Sequence, residues 1–312
     1  MKNPTAIFCS DIHLRETIPE CRKETFFDEM KSKLDFISDL QKEYDIPVIN
    51  AGDLFHHWKA SPELLIFAML HLPKEFHSIV GQHDLPNHNY NFINKSGFGV
   101  LKESKFVREL ERMVEINCDR TLKDMNGFFT DGFPFGSELP KRSRRASVSI
   151  NEEIKVAVCH TLTWLDKEPF PDAKGNNAPA MLQRFPNYQL VVTGDNHQQF
   201  IYHNSKGQVL LNPGSMMRTS IDQKDFEPAV FLWDYKTNKV EKVPLPINKK
   251  CFLTESREIK SEREDRMNSF IKRLKGQKEI GLSFEKNMEE FISSNNIDKK
   301  IKEMIWEVCD ED

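Results

Sequence analysis

The stretch Pro47-Val48-Ile49-Asn50-Ala51-Gly52-Asp53-Leu54-Phe55-His56-His57 decides the fold. Val48, Ile49 and Ala51 read as a short buried strand, Gly52 lets the backbone turn, and Asp53 is left at the strand's carboxyl end. Ligands of open α/β sheets gather at such ends. A carboxylate there can offer one oxygen to each of two cations, which makes Asp53 a candidate bridge. A Gly-Asp pair after a strand is equally a turn or a helix cap. The neighbouring segments therefore decide the reading.

On the N-terminal side, Ala6–Ser10 predicts a strand that ends in Asp11-Ile12-His13. Phe26, Phe27, Met30, Leu34, Ile37 and Leu40 recur at helical steps and predict a helix from about Lys23 to Glu43. On the other side, Ser61-Pro62-Glu63 is a helix start, with Ser as cap and Pro at the first helical position, and that helix runs to about Leu72. Phe76–Val80 then predicts a third strand, ending in Gly81-Gln82-His83-Asp84. Three strand–helix units in succession imply a parallel or mixed sheet covered by helices.

After Gly99 the strands come without long helices between them: around Val114–Asn117, Gly127–Phe135, Lys155–Cys159, Leu190–Val192 and Gln208–Leu211, then a hairpin of Val230–Trp233 with Val240–Val243. The fold expected is α/β, a two-sheet mixed β-sandwich flanked by helices over residues 1–248. Residues 249–312 are charged, with thin apolar stripes such as Phe284, Met288, Phe291 and Ile292, and read as a short helical C-terminal extension. Those stripes either pack on the core and on each other or form a docking face for a partner.

Composition narrows the function classes. The chain has 312 residues, 38% hydrophobic and 29% charged, enough to bury a full core. No apolar run approaches the ~20 residues of a membrane span, so no membrane role is expected. No signal peptide is visible, and the six cysteines show no CxxC spacing. Buried, reduced thiols at Cys9 and Cys159, and a cytoplasmic setting, are expected. A net charge of -4 does not announce a nucleic-acid binder, so only local patches can argue for one.

The chemistry-bearing residues sit at strand ends: Asp11 and His13, Asp53, His83, His160, and Asp195 with His197. Each alone has a plain explanation, as a cap, a core histidine or a loop residue. Together, imidazoles and carboxylates at five strand ends describe a site for Mn, Fe or Zn, and the absence of Cys there argues against structural zinc.

In this order, Asp11-Ile12-His13, Gly52-Asp53, Gly81-Gln82-His83-Asp84, His160 and Gly194-Asp195-Asn196-His197 resemble the calcineurin-like metallophosphoesterase superfamily. The pattern of that superfamily is D-x-H, G-D, G-N-H-D, a lone H and G-H-x-H on a two-sheet sandwich. Ser10-Asp11-Ile12-His13-Leu14 and Gly52-Asp53-Leu54-Phe55-His56 are most similar to SbcD-type DNA exonuclease subunits, and Asn212-Pro213-Gly214-Ser215 also fits. The resemblance implies two divalent metal ions, Mn2+ foremost and Mg2+ as an alternative. Asp11, His13 and His197 would hold the first ion, Asp53 would bridge, and His160, Gln82 and Asp195 would hold the second. It implies His83 as the catalytic group facing the phosphoryl, oriented by Asp84, and places His56 near the scissile phosphate. Two departures stand out. Gln82 replaces the family's Asn and Asp195 its first G-H-x-H histidine, and both changes fall on the same metal.

For the substrate, the resemblance implies DNA, with an SbcC-type ATPase as partner through the C-terminal helices; a homodimer is a further possibility. The basic loop at Lys141, Arg142, Arg144 and Arg145 can supply phosphate contacts, or can be merely solvated. Two other readings stay open at this stage: a small-molecule or nucleotide phosphodiesterase or phosphatase, and a metal-weak scaffold that binds a partner.

Overall fold

The computed structural model describes residues 1–253 other than 2, 24, 111–113, 118–126 and 142–153. Arg142, Arg144, Arg145 and the helices expected after residue 253 therefore lie outside the described residues. The described residues belong to one compact unit, Met1–Leu253.

The described residues hold fourteen strands: β1 (Ala6–Cys9), β2 (Val48–Asn50), β3 (Phe76–Ser78), β4 (Arg108–Glu109), β5 (Val114–Asn117), β6 (Gly127–Phe133), β7 (Lys155–His160), β8 (Thr163–Trp164), β9 (Asn176–Asn177), β10 (Leu190–Gly194), β11 (Phe200–His203), β12 (Val209–Asn212), β13 (Ala229–Asp234) and β14 (Lys239–Pro244). They make two six-stranded sheets, ordered β14-β13-β1-β2-β3-β4 and β11-β12-β10-β7-β6-β5, beside the small pair β8-β9. In the first sheet β1, β2, β3 and β4 run parallel and the antiparallel hairpin β13–β14 forms one edge; in the second β12, β10, β7 and β6 run parallel and antiparallel β11 and β5 close the two edges. The mixed two-sheet α/β sandwich read from the sequence is the observed architecture.

Side-chain alternation explains the layering. Ala6 and Phe8 of β1, with Trp233 of β13 in the same sheet, face the second sheet, where they meet Phe128, Val156, Val158 and Val192 in the central core. Ile7 and Cys9 point the other way, onto α1 (Phe26–Tyr44), whose Phe26, Met30, Leu34 and Ile37 are fully or almost fully buried. Each such side chain stabilises the fold by about 1.5–3 kcal/mol relative to exposure. The outer face of the second sheet is covered by the short helix α4 (Ala178–Leu182), with Met181 and Leu182 over Ala157, Cys159, Val191 and Leu210.

α2 (Pro62–His71) starts where predicted, with the Ser61 hydroxyl accepting from the Leu64 N–H at 3.1 Å. α1, by contrast, begins at Phe26 rather than Lys23. Arg22 pairs with Phe252, and the Lys23 N–H donates to the Cys251 carbonyl at 3.0 Å, which holds the chain extended until the helix can start. α3 (Gly97–Glu103) and β11 were not expected from sequence. The described cysteines, Cys9, Cys21, Cys159 and Cys251, are free thiols. No helix among the described residues is long and apolar enough to cross a membrane.

Candidate metal centre

Both sheets deliver polar residues to one place from their carboxyl ends. β1 leads into Asp11 and His13, β2 into Asp53, and β3 into Gln82 and His83; β7 ends on His160, and β10 leads into Asp195 and His197. Parallel pairing of β1 with β2 and of β7 with β10 aligns these ends. The backbone turns sharply as it leaves the strands: Asp11, His13, Asp53 and Asp195 all have positive φ. Asp tolerates that region better than most residues. Gly52 is required outright. Its φ is +100°, and a Cβ there would approach His160 Cγ to 2.8 Å.

Among the described residues three overlapping clusters of ligand-type atoms result: Asp11, His13 and His197; His13, Asp53 and His83; and Asp11, Asp53 and His160. Asp53 Oδ2 is 3.4 Å from His160 Nε2, 3.8 Å from His13 Nε2 and 4.0 Å from His83 Nε2. His13 Nε2 and His197 Nε2 face each other at 3.2 Å. Two imidazole lone pairs at that separation repel unless a proton or a cation lies with them. The floor is closed to solvent, with Asp11 and Asp53 at most 1% exposed, while the side chains of His83 and His197 are 40% and 44% exposed. Access is from their side.

The donor set fits a divalent cation. His160 Nδ1 lies 2.7 Å from the Ala51 carbonyl and must donate to it, which turns Nε2 inward as the ligand atom. Nε2 of His160 is buried without a hydrogen-bond partner, and so is Oε1 of Gln82. Carboxylate, imidazole and amide oxygen, with no thiolate, suit a cation of intermediate to hard character.

The electrostatics agree. Burial disfavours the Asp53 carboxylate, yet His160, then His13 and His83, hold it well below the usual carboxylate range. Burial likewise opposes charge on His160, but Asp53 outweighs it and pushes the imidazole up to about 10 in the metal-free protein. Burial drives His13 far down, to a neutral imidazole able to ligate. Asp11 is raised, chiefly by burial.

The remaining predicted residues fall around this centre. His56 stacks on His83, with ring centroids 5.7 Å apart at 12°, and burial and Arg15 lower it to about 4. The Asp84 carboxylate is taken up by the backbone N–H groups of Phe55 (2.8 Å), Gly81 (2.9 Å) and Leu54 (3.2 Å), and so ties the loop after β2 to the loop after β3. It makes no hydrogen bond to the His83 ring among the described residues; the His83 backbone N–H donates to Asp53 Oδ1 at 2.9 Å. Gln82 Nε2 donates to Asp195 Oδ1 at 2.6 Å. Lys141 is exposed, on a surface cleft it lines with Asp131, Phe133, Glu138 and Tyr188.

Sequence reasoning missed Ser10, whose hydroxyl donates to Asp11 Oδ2, and the Ala51 carbonyl that fixes His160. His88, whose Nδ1 is 3.0 Å from the Gln82 carbonyl, is a further residue beside the centre. None of the three has a sequence signal, since each acts through a backbone or a neighbour.

A fold of this topology with this centre is that of a metal-dependent phosphoesterase. The chain belongs to the calcineurin-like phosphoesterase family, whose model matches residues 4–199. Among solved structures it is similar to a 5'-nucleotidase from Candida albicans SC5314 (11% identity, TM-score 0.42, covering 79% of this chain and 52% of that one, about half its length). It is also similar to the phosphopantetheinyl hydrolase PptH from Mycobacterium tuberculosis (13% identity, TM-score 0.45, 80% of this chain and 98% of that one). A metallophosphoesterase from Sphaerobacter thermophilus matches at 12% identity and TM-score 0.37, over 78% of this chain and 89% of that one. A comparison with curated proteins finds no match.

Proposed function

We propose that the protein is a two-metal phosphodiesterase acting on DNA, a nuclease of SbcD type that works in the cytoplasm with an SbcC-type ATPase docked through the C-terminal extension, residues 249–312. The observation that carries this reading is a buried carboxylate–imidazole floor beneath two exposed histidines, His83 and His197. Such a face admits a phosphate that belongs to a long polymer. The SbcD-like segments around Asp11 and Asp53, and His56 stacked beside His83, support the nucleic-acid assignment.

Asp11, His13 and His197 would hold one cation, His160 and Gln82 the other, with Asp53 between them. Mn2+ is the cation proposed, because imidazole and carboxylate donors share the site. When bound, the pair supplies Lewis acidity to the phosphate and acidifies the attacking water. Asp53 is kept ionised by the histidines around it. Its Oδ1 accepts from the His83 backbone N–H, and its Oδ2 is the atom nearest to His160, His13 and His83. His83 is exposed, and its backbone N–H anchors the residue on Asp53, so its ring can protonate the leaving oxygen.

The test compares wild type and His83→Ala on linear duplex DNA and on a small aryl phosphodiester with Mn2+. Wild type should degrade both. The variant should keep its metal content and lose about 10²–10⁴-fold in turnover, the range of a positioned acid. Hydrolysis of the aryl ester alone would overturn the nucleic-acid reading, and loss of an ion in the variant would make His83 a ligand.

A further inference from the structure

Asp195 and Gln82 stand where the family pattern has a histidine and an asparagine, and the two side chains are joined. Gln82 Nε2 donates to Asp195 Oδ1 at 2.6 Å. The orientation of the amide follows from chemistry: a carboxylate only accepts, so the NH2 end must face Asp195 and Oε1 must face away. That Oε1 is buried and has no hydrogen-bond partner. Leaving a buried amide oxygen without a partner is unfavourable, and a ligated cation would satisfy it.

Both ends of the pair are anchored to the site carboxylates. The Asp195 N–H donates to both oxygens of Asp11 at 3.2 Å. The residue after Gln82, His83, donates its N–H to Asp53 Oδ1 at 2.9 Å. Yet among the described residues Asp195 joins none of the clusters of ligand atoms, whereas Asp11, His13, Asp53, His83, His160 and His197 all do. Its carboxylate is engaged elsewhere, on the amide.

We infer that Asp195 is a positioning residue rather than a metal ligand: it holds the Gln82 amide so that Oε1 ligates the cation shared with His160 and Asp53. This rests on the two-metal reading above. The replacement of histidine by aspartate thus removes a nitrogen donor from the second ion. An oxygen from Gln82, one methylene longer than the asparagine it replaces, is fixed in the sphere by a charge-assisted hydrogen bond. The second ion keeps His160 as its single imidazole and is expected to favour Mn2+ over Zn2+ more than the first, which has two.

The experiment is calorimetric titration of the full chain with Mn2+, for wild type, D195N, D195A, Q82A and the double variant Q82A/D195A. Wild type should bind two ions. D195A and Q82A should each weaken one of them by about 10–100-fold, the usual effect of removing a partner that orients a ligand. D195N should retain both ions, because its amide oxygen still accepts from Gln82. The double variant should bind no worse than Q82A alone, since the carboxylate acts only through the amide. Loss of the ion in D195N to the extent seen in D195A, or a further loss in the double variant, would show that the carboxylate ligates and overturn the inference. A wild type that binds fewer than two ions would overturn the two-metal reading itself.

Discussion

At the scale of single residues, the centre depends on close approaches that leave no room for a side chain. Gly52 carries Asp53 into the site at φ +100°, against the ring of His160. Gly52→Ala should therefore cost about 1–3 kcal/mol in stability from backbone conformation alone. It should also displace His160 and weaken Mn2+ binding. Thermal melting and metal titration of the variant check both; unchanged melting with two bound ions would refute the packing described. The reason for a glycine there was legible in Gly52-Asp53 as a turn, but the clash with His160 was not. The two residues are more than a hundred positions apart, and only the packing of one sheet on the other brings them together. The Gln82–Asp195 hydrogen bond is hidden for the same reason.

At the scale of elements, α1 does more than cover the first sheet. Its inner face carries Glu29 and Lys33, which meet Arg22 and Arg218 in a buried group of three cations around one carboxylate. Lys33 Nζ donates to the Met216 carbonyl at 2.9 Å, and the Met216 N–H donates to the Asp11 carbonyl at 3.2 Å, so the helix is linked to the metal loop. Burial outweighs Glu29 and lowers Lys33 from the ordinary 10.5 to about 8. The unfolded chain then binds more protons than the folded one between those values, so stability should rise with pH from about 8 to about 10.5. Lys33→Met should lack that rise. Denaturation of both proteins across this interval tests it; parallel pH profiles would contradict the buried-ammonium assignment. The periodicity of Phe26 to Leu40 announced α1, but its start at Phe26 is set by Cys251 and Phe252, which no local pattern could reveal. β11 escaped notice because an edge strand with half-exposed residues has no clean alternation. α3 escaped notice because two of its seven residues, Gly97 and Gly99, disfavour a helix. The Ser96 hydroxyl caps it by accepting from the Gly99 N–H at 3.1 Å, Phe98 and Leu101 bury its inner face, and a Cβ on Gly99 would meet the Ile93 backbone.

At the scale of the whole molecule, the site exists only when the two sheets are packed together. The first sheet brings Asp11, His13, Asp53, Gln82 and His83, and the second brings His160, Asp195 and His197. Phe8, Phe128 and Trp233 lock the layers, with Trp233 edge-on to Phe8 at 6.0 Å and to Phe128 at 5.1 Å. A cation held by residues of both sheets binds the folded state alone and must stabilise it by mass action. That dependence is why the strand ends could be read from sequence as a set of candidates, whereas their mutual distances could not.

The central claim, a two-cation centre bridged by Asp53, is tested most directly by anomalous diffraction from crystals of the protein grown with Mn2+. Two peaks ~3.5–4 Å apart are expected, both within ligand distance of the Asp53 carboxylate, one against Asp11, His13 and His197 and the other against His160 and Gln82. A single peak, or peaks away from Asp53, would contradict it.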